Sequence, residues 1–294
     1  MKSVLVLGGT RFFGKRLVER LIASRIDVTI LTRGQTPDSF GDAVKRVQAD
    51  RTDPEALEKA LGGASYDVVY DNICYTPVEA EQAAELFAGR TGNYIVTSSL
   101  SVYPYGEPRK LESFLDPYAY PLPDPYPAKP DYAEGKRLVE AVLAKKAKFP
   151  FAAVRFPIVL GPDDYTRRLH FHVEHVRDGL PIGIPNPDAK MSFIHSGEAA
   201  AFLEWLGRTG LEGPVNACSL GEMSPGRIVA EIEKATGKQA VVERQTEQAH
   251  MSPFGVADAW YMDTAKAASA GFVFERLDEW MPALIRELAA LDRL

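Results

Sequence analysis

The chain opens by alternating short apolar runs with stretches in which apolar residues return every three or four positions. Residues 4–7 are apolar throughout and stop at Gly8. From 12 to 23, Phe13, Leu17 and Leu21 recur at helical spacing, with Lys15, Arg16, Glu19 and Arg20 on the polar face. Further strand-like runs follow at 28–31, 44–49, 68–70, 94–97 and 151–156. Helical patterns lie between them, at 54–61 behind an Asp53 cap with Pro54 in the first turn, at 79–87 and at 132–146. Strands without a polar face are buried on both sides, and helical crossovers between them make neighbouring strands parallel. The pattern predicts a doubly wound α/β sheet, which binds its ligand at the carboxyl ends of its strands.

After Gly161 the alternation weakens. Gly and Pro cluster from 179 to 187, and helices are predicted at 198–206, 225–236 and 277–291. This divides the chain into a nucleotide-binding part, 1–161, and a smaller mixed α/β substrate-binding part, 162–294, with interleaved boundaries. Residues 104–130 contain eight prolines together with Tyr105, Tyr118, Tyr120 and Tyr126. Long ordered loops in compact domains tend to be functional, so this one is expected as a rim over the site.

Composition narrows the functional classes. Of 294 residues 46% are hydrophobic and 25% charged, with a net charge of −6. An acidic surface disfavours broad phosphate-backbone binding, so nucleic acid is not an expected partner. Two cysteines, Cys74 and Cys218, cannot form a disulfide framework and suit a reducing, cytoplasmic compartment. No apolar run reaches the length of a membrane span or a signal peptide. His170, His172 and His175 with Glu174 do not make a convincing zinc ligand set, and no metal is expected. His195 is expected to pack or to bond backbone rather than act as a base.

The chemistry-bearing residues lie in order along the first part. Gly8-Gly9-Thr10-Arg11-Phe12-Phe13-Gly14 joins the first strand to the first helix. Glycines there allow a tight turn and close approach of a pyrophosphate to the helix N-terminus, which carries partial positive charge. The context makes this a dinucleotide-binding fingerprint and the sheet Rossmann-type. The second strand ends in Thr32-Arg33-Gly34, with no acid to bond a ribose 2′-hydroxyl. Arg33 and Arg11 would instead hold a 2′-phosphate, predicting NADP rather than NAD. Asp50, after the third strand, is placed to accept from the adenine amino group. Tyr132 and Lys136 are four residues apart on one helix face, where the ammonium should lower the phenol pKa and ready it for proton exchange with a substrate oxygen. Ser99, at the end of the fifth strand, would hold the same oxygen. Asp163, Asp164, Arg167 and Arg168 follow the sixth strand on the expected substrate side.

These segments, with Ser98–Tyr103, 155–162 and Phe193-Ile194-His195 leading into Glu198, resemble the extended short-chain dehydrogenase/reductases of the NAD(P)-dependent epimerase/dehydratase superfamily across nearly the whole chain. The resemblance implies Ser99, Tyr132 and Lys136 as the catalytic set, with Tyr132 and Lys136 also touching cofactor. It implies cofactor contacts at Gly8, Thr10, Arg11, Phe12, Phe13, Gly14, Arg33, Asp50, Arg51, Ile73, Cys74, Phe156 and Val159. Arg11 stands where the family's middle glycine is usual, a variant shared with a branch that includes chloroplast stem-loop RNA-binding proteins. The family's diphosphate-contacting Asn and Arg correspond to Ile158 and Met191, with Lys190 beside the latter, which weakens a nucleotide-sugar substrate. The family's later Asp corresponds to Glu198.

The expected function is therefore an NADP-dependent oxidoreductase acting on a small-molecule carbonyl or alcohol. The alternatives are a sugar epimerase or dehydratase that recycles its NAD(P), and a non-catalytic nucleotide-sensing or RNA-binding protein. A homodimer through 79–87 and 132–146 is the family's manner of assembly.

Overall fold

The computed structural model describes residues 1–291; the last three residues of the 162–294 part lie outside them. The chain runs β1 (Ser3–Leu7), α1 (Phe12–Ala23), β2 (Asp27–Thr32), β3 (Val44–Gln48), α2 (Pro54–Leu61), β4 (Tyr66–Asp71), α3 (Pro77–Leu86), β5 (Thr91–Ser99), α4 (Tyr132–Lys146) and β6 (Phe151–Phe156). It continues β7 (Ile158–Leu160), α5 (Arg168–Asp178), β8 (Pro181–Gly183), β9 (Phe193–His195), α6 (Ser196–Leu206), β10 (Gly213–Asn216), α7 (Pro225–Thr236), β11 (Val241–Glu243), α8 (Ala265–Ser269) and α9 (Leu277–Ala290).

Seven strands form one parallel sheet in the order β10-β6-β5-β4-β1-β2-β3. The direction of winding reverses between β1 and β4, and this opens the crevice at their carboxyl ends. The sheet separates two cores, which explains the unbroken apolar strands. Val4 and Val6 point into a core shared with α1 and α6. Leu5 and Leu7 point into the opposite core, shared with α2, α3 and α4. A third core joins α5, α7 and α9 around Phe193 and Ile182.

The sheet is completed by β10, a strand from beyond residue 161, and α6 from the same part packs on α1. The layers therefore interleave along the chain. The short strands β7 to β11 have no clear period in the sequence, because three or four residues are too few to show one. The loop 104–130 corrects the expectation of a rim. It packs along α4, β6 and β10 instead: Lys145 Nζ donates to the Tyr120 carbonyl, Tyr120 Oη donates to Glu134 at 2.7 Å, and the Tyr118 and Phe151 rings lie 6.3 Å apart. None of its residues lines either cavity described below.

Candidate active site

Two adjoining cavities lie at the carboxyl edge of the sheet. The first, of about 480 Å3, is lined by the glycine loop, the ends of β2 and β3, and the segment after β4. The second, of about 410 Å3, is lined by the end of β5, the start of α4, and the segment from Phe156 to Arg168. Phe12, Phe13, Asn72, Tyr75 and Tyr165 border both.

The first cavity suits a dinucleotide on observations of its walls. Gly8 has φ +80°, and a Cβ on Gly14 would meet the Gly8 carbonyl oxygen at 2.4 Å. The loop can thus close this tightly only with glycine at these positions. Helix α1 has no side-chain cap. Its first turn leaves backbone N–H groups without intrahelical partners beside the cavity, ready for phosphate oxygens. Arg11 occupies its glycine-usual position in extended conformation, φ −135° and ψ 152°, and its guanidinium carbon lies 5.9 Å from the Tyr165 ring centroid. Phe12 bears the strain of the turn instead, at φ +50°, a conformation costing non-glycine residues about 1–2 kcal/mol.

Arg33 is exposed on the cavity edge, and among the described residues neither it nor Arg11 forms an ion pair. Asp50 accepts from the Thr52 N–H at 2.9 Å and hydroxyl at 2.7 Å, bonds that hold its carboxyl below the usual carboxylate range. Arg51 is buried in the wall and ion-paired with Asp71, which also accepts from Tyr94. Thr10 and Ile73 line the cavity. Cys74 does not. Its side chain is fully buried, which pushes the thiol up to about 12, and only its carbonyl reaches the site, as an acceptor for Lys136.

The second cavity brings Ser99, Tyr132, Lys136, Phe156 and Val159 together. Asp131 caps α4 and thereby places Tyr132 and Lys136 in its first two turns. Lys136 is 1% exposed; its Nζ donates at 2.7 Å to the carbonyls of both Cys74 and Thr97. Burial pulls the ammonium down to about 8. Nζ sits 4.5 Å from the Tyr75 ring centroid and 5.8 Å from that of Tyr132. The expectation of a lowered phenol is corrected. Burial raises Tyr132, and a hydrogen bond with Ser99 and the charge of Arg168 oppose the rise. The residue remains 53% exposed, so its hydroxyl side is open to the cavity. Lys136 is held by its two carbonyls rather than by the phenol.

Of Met191, Lys190, Ile158 and the histidines singled out in the sequence, Ile158 lines the site and the rest lie outside it. Met191 is buried in the third core, Lys190 sits 3.8 Å from Glu107, and Ile158 is an apolar wall of the second cavity. His195 Nδ1 accepts from the Gly197 N–H at 3.2 Å and caps α6. His172 bonds Ser252, and His175 bonds His250, at 2.7 and 3.1 Å. Among the described residues no three His, Cys, Asp or Glu side chains gather as metal ligands, and no helix is long and apolar enough to cross a membrane.

Sequence reasoning missed Asn72, Tyr75, Tyr165, Pro253 and Trp260 as cavity residues. The first two directly follow β4, whose carboxyl end was a sufficient signal. Pro253 and Trp260 carried none, because only tertiary packing brings them to the site.

Residues 4–218 match the family model described as the NAD dependent epimerase/dehydratase family. Over 223 residues, 70% of this chain and 55% of the relative, the protein is 27% identical to chloroplast stem-loop binding protein of 41 kDa b from Arabidopsis thaliana. It is 27% identical over 182 residues, 56% of this chain and 46% of the relative, to 2-alkyl-3-oxoalkanoate reductase from Shewanella oneidensis. These matches span about half the length of the curated relatives. The UDP-glucose 4-epimerase of Thermus thermophilus, solved in complex with NAD, superposes with a TM-score of 0.72 at 17% identity, over 98% of this chain and 99% of that one. That likeness shows the fold.

Proposed function

The chain belongs to the NAD dependent epimerase/dehydratase family, and we propose that it is an NADP-dependent oxidoreductase acting on the carbonyl or alcohol group of a small molecule. The observation that carries the reading is the Ser99–Tyr132–Lys136 set in one wall of a cavity that adjoins the one lined by the glycine loop. The cofactor, when bound, supplies or accepts the hydride. In the reducing direction the Tyr132 phenol gives its proton to the carbonyl oxygen, and in the oxidising direction it takes the proton from the hydroxyl. Ser99 bonds the same oxygen and fixes its position. Lys136, pinned by two carbonyls, keeps a positive charge below the phenol as negative charge develops on it.

Gly8, Thr10, Phe12, Phe13 and Gly14 would cradle the pyrophosphate, with Asp50, Arg51, Ile73 and the Cys74 backbone along the rest of the cofactor. Phe156 and Val159 would pack beside its reactive end. Preference for NADP rests on Arg11 and Arg33, two guanidinium groups without a carboxylate partner at the same cavity, suited to a 2′-phosphate. A reductase among the relatives agrees with net reduction. The family's epimerases and dehydratases support a second reading in which the cofactor is regenerated within each cycle.

Tyr132→Phe is the test. Turnover should fall by about two to four orders of magnitude, while NADPH affinity from nicotinamide fluorescence stays within about twofold. Undiminished turnover would refute the mechanism. Stoichiometric NADPH consumption by the wild type separates net reduction from recycling.

A further inference from the structure

The second cavity carries charge of one sign. Its lining contains Lys136 and Arg168 but no aspartate or glutamate. Lys136 is committed to two backbone carbonyls. Arg168 is the first residue of α5 and one of four charged residues that follow β7, and the structure separates their roles. Asp163 pairs with Arg16 at 2.8 Å, away from the cavity lining. Asp164 is buried and accepts from the N–H and hydroxyl of Thr166, at 2.9 and 2.5 Å, which shapes the turn into the helix. Arg167 is ion-paired with Glu174. Arg168 alone of the four lines the cavity, and among the described residues it has no ion-pair partner.

The surroundings make this guanidinium effective. Trp260, Pro253 and Ile158 contribute apolar wall to the same cavity. A cation against such a wall is screened less than one in open water, and a cavity lined by one sign of charge concentrates ligands of the other. The guanidinium fork also matches the two oxygens of a carboxylate or a phosphate. Arg168 and Tyr132 line the same cavity of about 410 Å3, so one small molecule held there can meet both groups.

We infer that Arg168 binds an anionic group of the substrate, a carboxylate or a phosphate, and so selects carbonyl compounds that are acids or phosphate esters over neutral and cationic ones. This rests on reading the second cavity as the place where the carbonyl is reduced. Lys136 assists through its field alone, while Arg168 makes the contact.

The test uses the full chain and three probes: acetoacetate, its uncharged methyl ester, and UDP. NADPH binding is read first, from nicotinamide fluorescence. If the wild type fails to bind NADPH, the oxidoreductase reading fails, and the anion preference is still read by calorimetry on the same protein. With NADP bound, the wild type should hold acetoacetate or UDP at least about tenfold more tightly than the methyl ester, a difference of about 1.4 kcal/mol. Preference for acetoacetate assigns a carboxylate, and preference for UDP assigns a phosphate. Arg168→Gln should abolish the preference without changing NADPH affinity, and Arg168→Lys should restore part of it. Equal binding of all three probes by the wild type, or a preference that survives Arg168→Gln, would overturn the inference.

Discussion

The two cavities are neighbours built in different ways. The first is made mostly of segments that follow strands of the parallel sheet: the glycine loop after β1, Arg33 after β2, Asp50 after β3 and Asn72 after β4, with Tyr165 at its border with the second. The second takes one wall from β5 and α4 and the other from residues 165–168, 253 and 260. Each rests on a buried arginine–carboxylate pair. Under the first, Arg51 meets Asp71, with Tyr94 as a further partner. Beside the second, Arg155 and Glu140, both fully buried, form a wider network. Glu140 accepts from Ser98, next to Ser99, and the Arg155 guanidinium donates to Tyr103 and to the carbonyls of Glu112 and Leu115. Tyr103 in turn donates to Asn216 of β10 at 2.8 Å. Parallel strands suffice to assemble the first cavity, whereas the second needs a polar clamp that draws α4, β6, the proline-rich loop and β10 together.

The largest expected effect tests that contrast. Removing one partner of a buried pair strands a charge and costs about 3–5 kcal/mol. Glu140→Gln should destabilise the protein by about that much in denaturant unfolding, and more than Asp71→Asn does, because it releases more segments. It should also lower turnover more than NADPH affinity, through Ser98 and the adjoining Ser99. Equal losses of stability in the two variants would remove the distinction between the clamps.

Next in size is the double variant Arg11→Ala with Arg33→Ala, which touches the first cavity alone. NADPH affinity should drop about 100-fold, or about 2.7 kcal/mol, with NADH affinity little changed. Titration of both cofactors checks this, and parallel losses would mean that the arginines do not read the 2′-phosphate.

The smallest effect lies outside both cavities. Glu198 accepts from Ser219 and from the Glu275 N–H, and burial pushes its carboxyl up to about 7. Between its ordinary value and about pH 7 the folded protein retains a proton that the unfolded chain releases. Stability should therefore fall as pH rises through that window and level off above it. Glu198→Gln should flatten the slope, which is worth about 1–3 kcal/mol, with both cofactor and substrate affinities unchanged. Melting temperatures at pH 5 and pH 8 measure it.

Much of the first cavity was legible because local pattern and site coincide there. A strand, a glycine turn and a helix are contiguous in the chain, and the parallel sheet puts every such turn at one edge. Tyr132 and Lys136 were legible for the same reason, being one helical turn apart. The phenol pKa was misjudged because spacing shows that two side chains are neighbours but not what else surrounds them: burial raises Tyr132 against the opposing effects of Ser99 and Arg168. The loop 104–130 was misplaced because proline and tyrosine reveal order, not the surface on which the order forms.

The sequence by itself determined the parallel sheet, the glycine turn and the Ser–Tyr–Lys order, since each depends on short-range periodicity or on residue types with one stereochemical use. Tertiary structure alone decided which charges remain free. Arg51, Arg155 and Arg167 are consumed by carboxylates; among the described residues, Arg11, Arg33 and Arg168 are left without ion-pair partners beside the cavities. That sorting arises because ion pairs form between residues brought together by packing, at separations no local pattern records.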